Sequence, residues 1–400
     1  MTRREDLERR GYLVVPGFIE LHAHLREPGA EESETIETGA RAALRGGLTT
    51  VCAMANTAPA IDSRGLVLDV IRRGADARAA RVLPVGAITR GRAGAELADL
   101  IELADAGAVA FSDDGSPVRD AQLFRSALEY AHAANRPVIE HPQDLALSGR
   151  GVMHEGRVSA RLGLPGMPAA AEESAVARDI SLARLAGVHV HLTHLSTAGS
   201  VELVRRAKED GALVTADVTP HHLALTDEWV AGSRTLAWEE AGPPATAYDS
   251  STKVNPPLRT RADVEACWAG LVDGTIDAIA TDHAPHASIH KDVEFAAAAF
   301  GISSAETAVS LLLAGVDAGL AGLDVVIAAL TRGPARFLGL EGTDDWIAID
   351  RTARGTVTAD TLASKGKNTP LLGRSLRGRV VYAVVDGAVR HDAVSVGAPA

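Results

Sequence analysis

Cysteine is almost missing from this 400-residue chain: only Cys52 and Cys267 occur, far apart and in apolar surroundings. That excludes a disulfide framework and favours two small buried hydrophobes. Lysine is absent before Lys208, so arginine alone carries the basic charge of the first half. No run of Lys and Arg offsets a net charge of −12. Nucleic acid and anionic membrane are therefore excluded as main partners, since both need clustered cations to displace counterions. No apolar run reaches the roughly 18 residues that cross a bilayer, and the first residues carry no signal-peptide core. The expectation is a cytoplasmic enzyme.

What is present is a large apolar fraction, 46%, arranged as short hydrophobic segments alternating with amphipathic ones. This is the pattern of repeated βα units. Strands are expected over 18–25, 50–54, 82–87, 108–112, 137–141, 188–194, 212–218 and 278–282, and helices over 35–45, 64–73, 95–104, 121–134, 171–185, 200–208 and 261–270. Gly46, Gly107, Gly187 and Gly211 fall just before the next strand, where helices end. Eight strands predict an α/β fold, a (β/α)8 TIM-type barrel. After a helical stretch at 305–340 the pattern turns to short β segments, 345–350, 355–358 and 378–389, with turns at 368–370 and 386–387. The expected organisation is a short N-terminal piece of a β-module over 1–12, a hydrolase barrel over 13–340, and the rest of the module over 341–400.

In such a barrel the chemistry assembles at the C-terminal ends of the strands. His22 and His24 stand at the end of the first strand, where i and i+2 share a face and can close on one cation. Asp114 follows strand four, His141 ends strand five, His194 strand six and Asp282 strand eight. A lone histidine at such a place is more often structural than a ligand. Four histidines and two aspartates at the strand ends of one barrel point instead to a metal centre, with donors suited to one or two zinc ions. Asp282 could touch the metal and also carry a proton; its plainer reading is a helix cap or loop ion pair. Arg26 could hold a substrate anion beside the cluster.

Nine stretches, in order along nearly the whole chain, carry a more specific signal. They are His22-Ala23-His24-Leu25-Arg26-Glu27-Pro28-Gly29, Phe111-Ser112-Asp113-Asp114-Gly115, Ile139-Glu140-His141, Leu192-Thr193-His194-Leu195-Ser196 and Val218-Thr219-Pro220-His221-His222-Leu223, followed by Lys253-Val254-Asn255-Pro256-Pro257-Leu258-Arg259, Thr281-Asp282-His283-Ala284-Pro285-His286, Phe300-Gly301-Ile302 and Ser364-Lys365-Gly366-Lys367-Asn368-Thr369-Pro370. The chain thereby resembles the bacterial, separate-polypeptide dihydroorotases of the cyclic amidohydrolase family.

That resemblance implies a zinc-dependent enzyme of pyrimidine biosynthesis, interconverting N-carbamoyl-L-aspartate and (S)-dihydroorotate. His22, His24, Asp114, His141 and His194 would be ligands, and Asp282 ligand and proton shuttle. Arg26, Asn56 and His286 would bind the substrate carboxylate and ring, with Asn255 and the backbone at Phe300 and Gly301 completing the pocket. His189, His191, His221 and His222 match no ligand position and read as packing or supporting groups.

Three departures accompany the match. Few residues precede the first barrel strand, so the C-terminal module is expected to lack partner strands; the stretch 227–250 is long; and Glu20 stands where the family usually has Asp. Many cyclic amidohydrolases bridge two metals with a carboxylated lysine from strand four, which a chain without early lysines cannot supply; Asp114 is the nearest carboxylate. Two rival readings are a hydantoinase or allantoinase, against which Arg26 argues, and a metal-free subunit scaffolding aspartate transcarbamoylase, against which the full histidine set argues. Small-molecule substrate, a homodimer and a transcarbamoylase partner are the expected associations.

Overall fold

A computed structural model describes residues 2–340 and 343–394; residues 341, 342 and 395–400 of the expected module lie outside them. Fourteen strands are formed among the described residues. They are β1 Leu13–Pro16, β2 Phe18–Ala23, β3 Leu48–Ala53, β4 Arg81–Gly86, β5 Ala110–Phe111, β6 Val138–Glu140, β7 Met153–His154, β8 Gly166–Met167, β9 Val190–Leu192, β10 Val214–Val218, β11 Ala278–Ile279, β12 Trp346–Thr356, β13 Ser375–Val385 and β14 Ala388–Asp392.

Eight of these form one parallel sheet in the order β11-β10-β9-β6-β5-β4-β3-β2. The ends approach each other through a parallel bridge between Ala23 and His283, where the His24 N–H donates to the His283 carbonyl at 2.8 Å. The result is the expected eight-stranded barrel with helices outside. Leu21, Cys52, Met54, Val85, Ala110, Ile139, Ala278 and Ala280 pack in its interior. Burial of this apolar set, mostly small or branched, is what the short strand segments encode. Cys267 lies instead on the outer helix Arg261–Asp273, and both cysteines are free and buried.

Glu20 is one of several polar groups buried on the barrel strands, with His191 and Asp217. It is fully buried, and its carboxylate accepts from the backbone N–H groups of His22 at 2.8 Å and Thr281 at 2.9 and 3.0 Å. Burial pushes its pKa up to about 7, against the pull of the Thr281 and His22 hydrogen bonds. The residue noted as a departure thus ties the first strand to the segment after the eighth, where the barrel closes.

Several expected boundaries shift. The strand expected over 108–112 is only Ala110–Phe111, because Asp113 turns away and accepts from the Ile88 and Thr89 backbone N–H groups. Residues 95–99 are not helical: Leu97 bridges to Thr89, and Asp99 caps a helix over Leu100–Ala106. The turn expected at 368–370 lies at 370–373, while the turn at 386–387 joins β13 to β14. Residues 13–16, placed in the barrel from sequence, instead form β1, which pairs antiparallel with β12 in a four-stranded sheet β1-β12-β13-β14. A helix over Arg3–Arg9, capped by Thr2, lays Leu7 against Ala348, Val381 and Val384. One partner strand and one helix therefore cover this face of the module.

Candidate active site

All six candidate ligands meet at the C-terminal end of the barrel and are buried, none more than 5% exposed. Asp114 lies in the middle. Its Oδ1 is 3.3 Å from His22 Nε2, 3.3 Å from His141 Nδ1 and 3.5 Å from His194 Nε2, and its Oδ2 is 3.5 Å from His24 Nε2. Asp282 Oδ1 lies 2.9 Å from His24 Nε2 and 3.7 Å from His22 Nε2. Two overlapping groups, His22–His24–Asp282 and His22–Asp114–His194, each bring their ligand atoms within 4.8 Å of one another. Either could hold a metal ion.

The second ring nitrogens decide which lone pairs face inward. Thr193 Oγ1 donates to Asp217 at 2.9 Å, which leaves it to accept from His22 Nδ1 at 2.9 Å. His24 Nδ1 donates to Asn56 Oδ1 at 2.8 Å, and His141 Nε2 to Gln143 Oε1 at 2.8 Å. Three of the four imidazoles thus have one nitrogen held outward and the other directed into the cluster, where a bound metal would take the place of a proton. His22 Nε2 and His194 Nδ1 are buried without a hydrogen-bond partner.

The field agrees with this donor set. Burial disfavours the charged form of His22, yet Asp114 and Asp282 beside it push its pKa up to about 10. Burial likewise opposes Asp114, but the charge of His22 and the hydrogen bonds of His141 and His194 hold it well below the ordinary carboxylate range. Asp282 is held low in the same way, chiefly by His24. Two carboxylates thus draw positive charge to one point, a field that a divalent cation satisfies.

The backbone is strained where the site is built. Arg26, His194 and Asp282 all have left-handed φ, at 59°, 42° and 45°. Asp217, unnoticed in the sequence, accepts from the His194 N–H at 2.6 Å and from His191 Nε2 at 2.8 Å, and so sets the turn that carries His194.

The candidate substrate residues surround a small cavity of about 180 Å³ lined by His24, Arg26, Asn56, Asp114, His141, Asn255, Asp282, Phe300 and Gly301. Asn255 Nδ2 donates to Gln143 Oε1 at 2.9 Å. Arg26 Nε donates to the Pro285 carbonyl at 3.1 Å and its Nη2 lies 3.2 Å from His286 Nε2, which is 2.8 Å from the Phe300 carbonyl. Burial and the Arg26 charge lower the His286 pKa to about 3, so its ring is neutral at ordinary pH. His286 thus touches two of the cavity-lining residues, Arg26 and Phe300. A larger cavity, about 820 Å³, lies between the helix Arg157–Leu162 and the long 227–250 stretch, and none of the candidate ligands lines it.

Of the remaining histidines, His191 pairs with Thr215 and Asp217, and His222 with Thr219 and the Pro256 carbonyl. His221 is buried with neither ring nitrogen partnered. Gln143, Thr193 and Asp217 were missed from sequence because their role is to orient ligands, which no spacing reveals.

The barrel and the His/Asp cluster define a class, and the solved structures agree on the fold. An L-hydantoinase (dihydropyrimidinase) from Arthrobacter aurescens matches with a TM-score of 0.81 at 22% identity, covering 96% of this chain and 86% of that one. A D-hydantoinase from Thermus sp. matches with a TM-score of 0.73 at 23% identity, covering 96% and 85%. Sequence is more specific. A Dihydro-orotase-like family model matches residues 11–200. The dihydroorotase of Anaeromyxobacter dehalogenans is 50% identical over 393 residues, 96% of this chain and 88% of that protein. That of Citrifermentans bemidjiense is 47% identical over 394 residues, 97% and 89%. The chain belongs to the dihydroorotase family, enzymes that hydrolyse a cyclic amide.

Proposed function

We propose that the protein is a zinc-dependent dihydroorotase interconverting (S)-dihydroorotate plus water and N-carbamoyl-L-aspartate, in the cytoplasm and in de novo pyrimidine biosynthesis. The observation that carries the metal part is the inward alignment of His22, His24 and His141 around Asp114. Nitrogen and carboxylate donors suit zinc, in one or two ions held by His22, His24, Asp114, His141, His194 and Asp282. Bound there, zinc would act as a Lewis acid on the ring carbonyl and make water more acidic.

The chain's own groups supply the rest. Arg26, with its Nε fixed by the Pro285 carbonyl, presents its guanidinium to the cavity and would bind the substrate carboxylate. Asn56, Asn255 and the backbone at Phe300 and Gly301 would hold the ring, with neutral His286 supporting Arg26. Asp282 is ionised and faces the same cavity. It would take the proton of the attacking water and deliver it to the ring nitrogen as the C–N bond breaks; cyclisation runs the same transfer backwards. The cavity is smaller than the sites of drug-sized ligands, which fits a small ring.

Assaying the purified chain in both directions, before chelation, after it, and after zinc is returned, tests this reading. Activity lost with the metal and restored by zinc is expected; activity indifferent to the chelator would overturn it. Size-exclusion chromatography, alone and with an aspartate transcarbamoylase, decides between monomer, homodimer and complex.

A further inference from the structure

Behind the cavity wall the fold buries a lysine that the reaction does not use. Lys291 is 5% exposed, and its ammonium donates to the carbonyls of Ala299 at 2.7 Å, Gly301 at 3.0 Å and Lys253 at 3.3 Å. Among the described residues no carboxylate lies within 4.0 Å of it. Burying an ammonium with only carbonyl dipoles around it is unfavourable. Burial, then the nearby charge of Lys253, lowers its pKa to about 7. All three of its hydrogen bonds go to backbone carbonyls, so what the amine holds in place is main chain.

The three carbonyls belong to two backbone segments that meet at the cavity. One leads to Asn255; the other, Ala299 to Gly301, is the wall itself. Lys291 sits at their junction, beside the hydrogen bond from the Gly301 N–H to the Lys253 carbonyl at 2.9 Å. Gly301 has φ 141°, and a Cβ there would come within 2.7 Å of the Ala284 carbonyl oxygen and 3.0 Å of His286 Nε2. The wall therefore has no slack against the residue that backs Arg26. The same Gly301 carbonyl accepts from Asn368 Nδ2 at 3.0 Å, while Asn368 Oδ1 accepts from the His286 N–H at 2.8 Å. Asn368 belongs to the loop between β12 and β13, so the small sheet reaches into the site.

We infer that Lys291 is a positioning residue of the anion pocket: with Asn368 on the other side of the Gly301 carbonyl, it fixes the Phe300–Gly301 wall against His286 and Arg26 and so sets affinity for the substrate carboxylate. The inference rests on the dihydroorotase reading, because it takes the ligand to be an anionic ring. Its effect falls on binding. Neither side chain bonds a metal ligand or Asp282; Asn368 meets the segment after strand eight at Ala284 and His286.

The test is steady-state kinetics with dihydroorotate on the zinc-loaded native protein, Lys291→Met and Asn368→Ala, with bound zinc and thermal melting measured on each. Both variants are expected to raise KM at least tenfold, keep kcat within about threefold and keep the native zinc content. A folded Lys291→Met with KM within twofold of native overturns the inference, as does a parallel loss of kcat and zinc. If Lys291→Met does not fold, Asn368→Ala decides by the same criteria. A native protein that does not turn over dihydroorotate overturns the functional reading itself, an outcome distinct from a variant that fails to shift KM.

Discussion

His24 Nε2 lies 2.9 Å from Asp282 Oδ1, which joins the tip of the first barrel strand to that of the eighth. The two residues are nevertheless assigned different work, and metal content separates them. His22→Ala or His24→Ala should lower bound zinc and activity together. Asp282→Asn should abolish turnover while most metal stays, because four histidines and Asp114 remain. Near-normal turnover by Asp282→Asn would remove the proton-shuttle role.

Among the described residues Asp114 is the one carboxylate within 4.0 Å of all four histidines, and a side-chain carboxylate needs no prior reaction with carbon dioxide. Apo-protein should regain full activity with zinc alone in carbonate-free buffer. Asp114→Ala should lose metal and activity that bicarbonate does not restore. Reactivation that depends on bicarbonate would contradict this assignment.

Arg26 should determine substrate choice. Arg26→Met is expected to lose about 2–5 kcal/mol of transition-state binding for dihydroorotate, the range for leaving one partner of a buried charge pair alone. The kcat/KM ratio of variant to native protein reads this directly. A change of less than tenfold would assign the carboxylate to another group.

Asp179 offers a pH signature away from the cluster. It is buried beside Arg178 and near Glu140, and burial, opposed by Arg178, raises its pKa from 3.8 to about 7. Between those values the folded chain keeps a proton that the unfolded chain has released. This contribution to stability is therefore full below about pH 4 and lost as pH rises through about 7. Asp179→Asn should flatten the fall in urea midpoint between about pH 4 and 7; an unchanged slope would show that Asp179 is ionised in the fold.

Much of this was readable from the sequence where function and periodicity coincide. His22 and His24 share a strand face, and Asp114, His141, His194 and Asp282 stand at strand ends, so the barrel pattern alone brings them to one rim. What could not be read depends on contacts between distant segments. Glu20 looked like a substitution and is a clasp to Thr281 across the barrel closure. Leu13–Pro16 looked like the approach to the first barrel strand, and only the edge of β12 explains its pairing elsewhere. Lys291 and Asn368 act on backbone carbonyls, which carry no side-chain signature in a sequence. The helix expected over 95–104 failed for a local reason: Asp99 caps Leu100–Ala106, and the residues before it are bound in a bridge to Thr89.

The most direct test compares zinc-loaded native protein on (S)-dihydroorotate, dihydrouracil and hydantoin at equal concentration. Zinc-dependent hydrolysis of dihydroorotate, with the two rings lacking a carboxylate turned over at least a hundredfold more slowly, is the predicted result. Comparable rates on all three would contradict the account and give the protein a hydantoinase-like specificity.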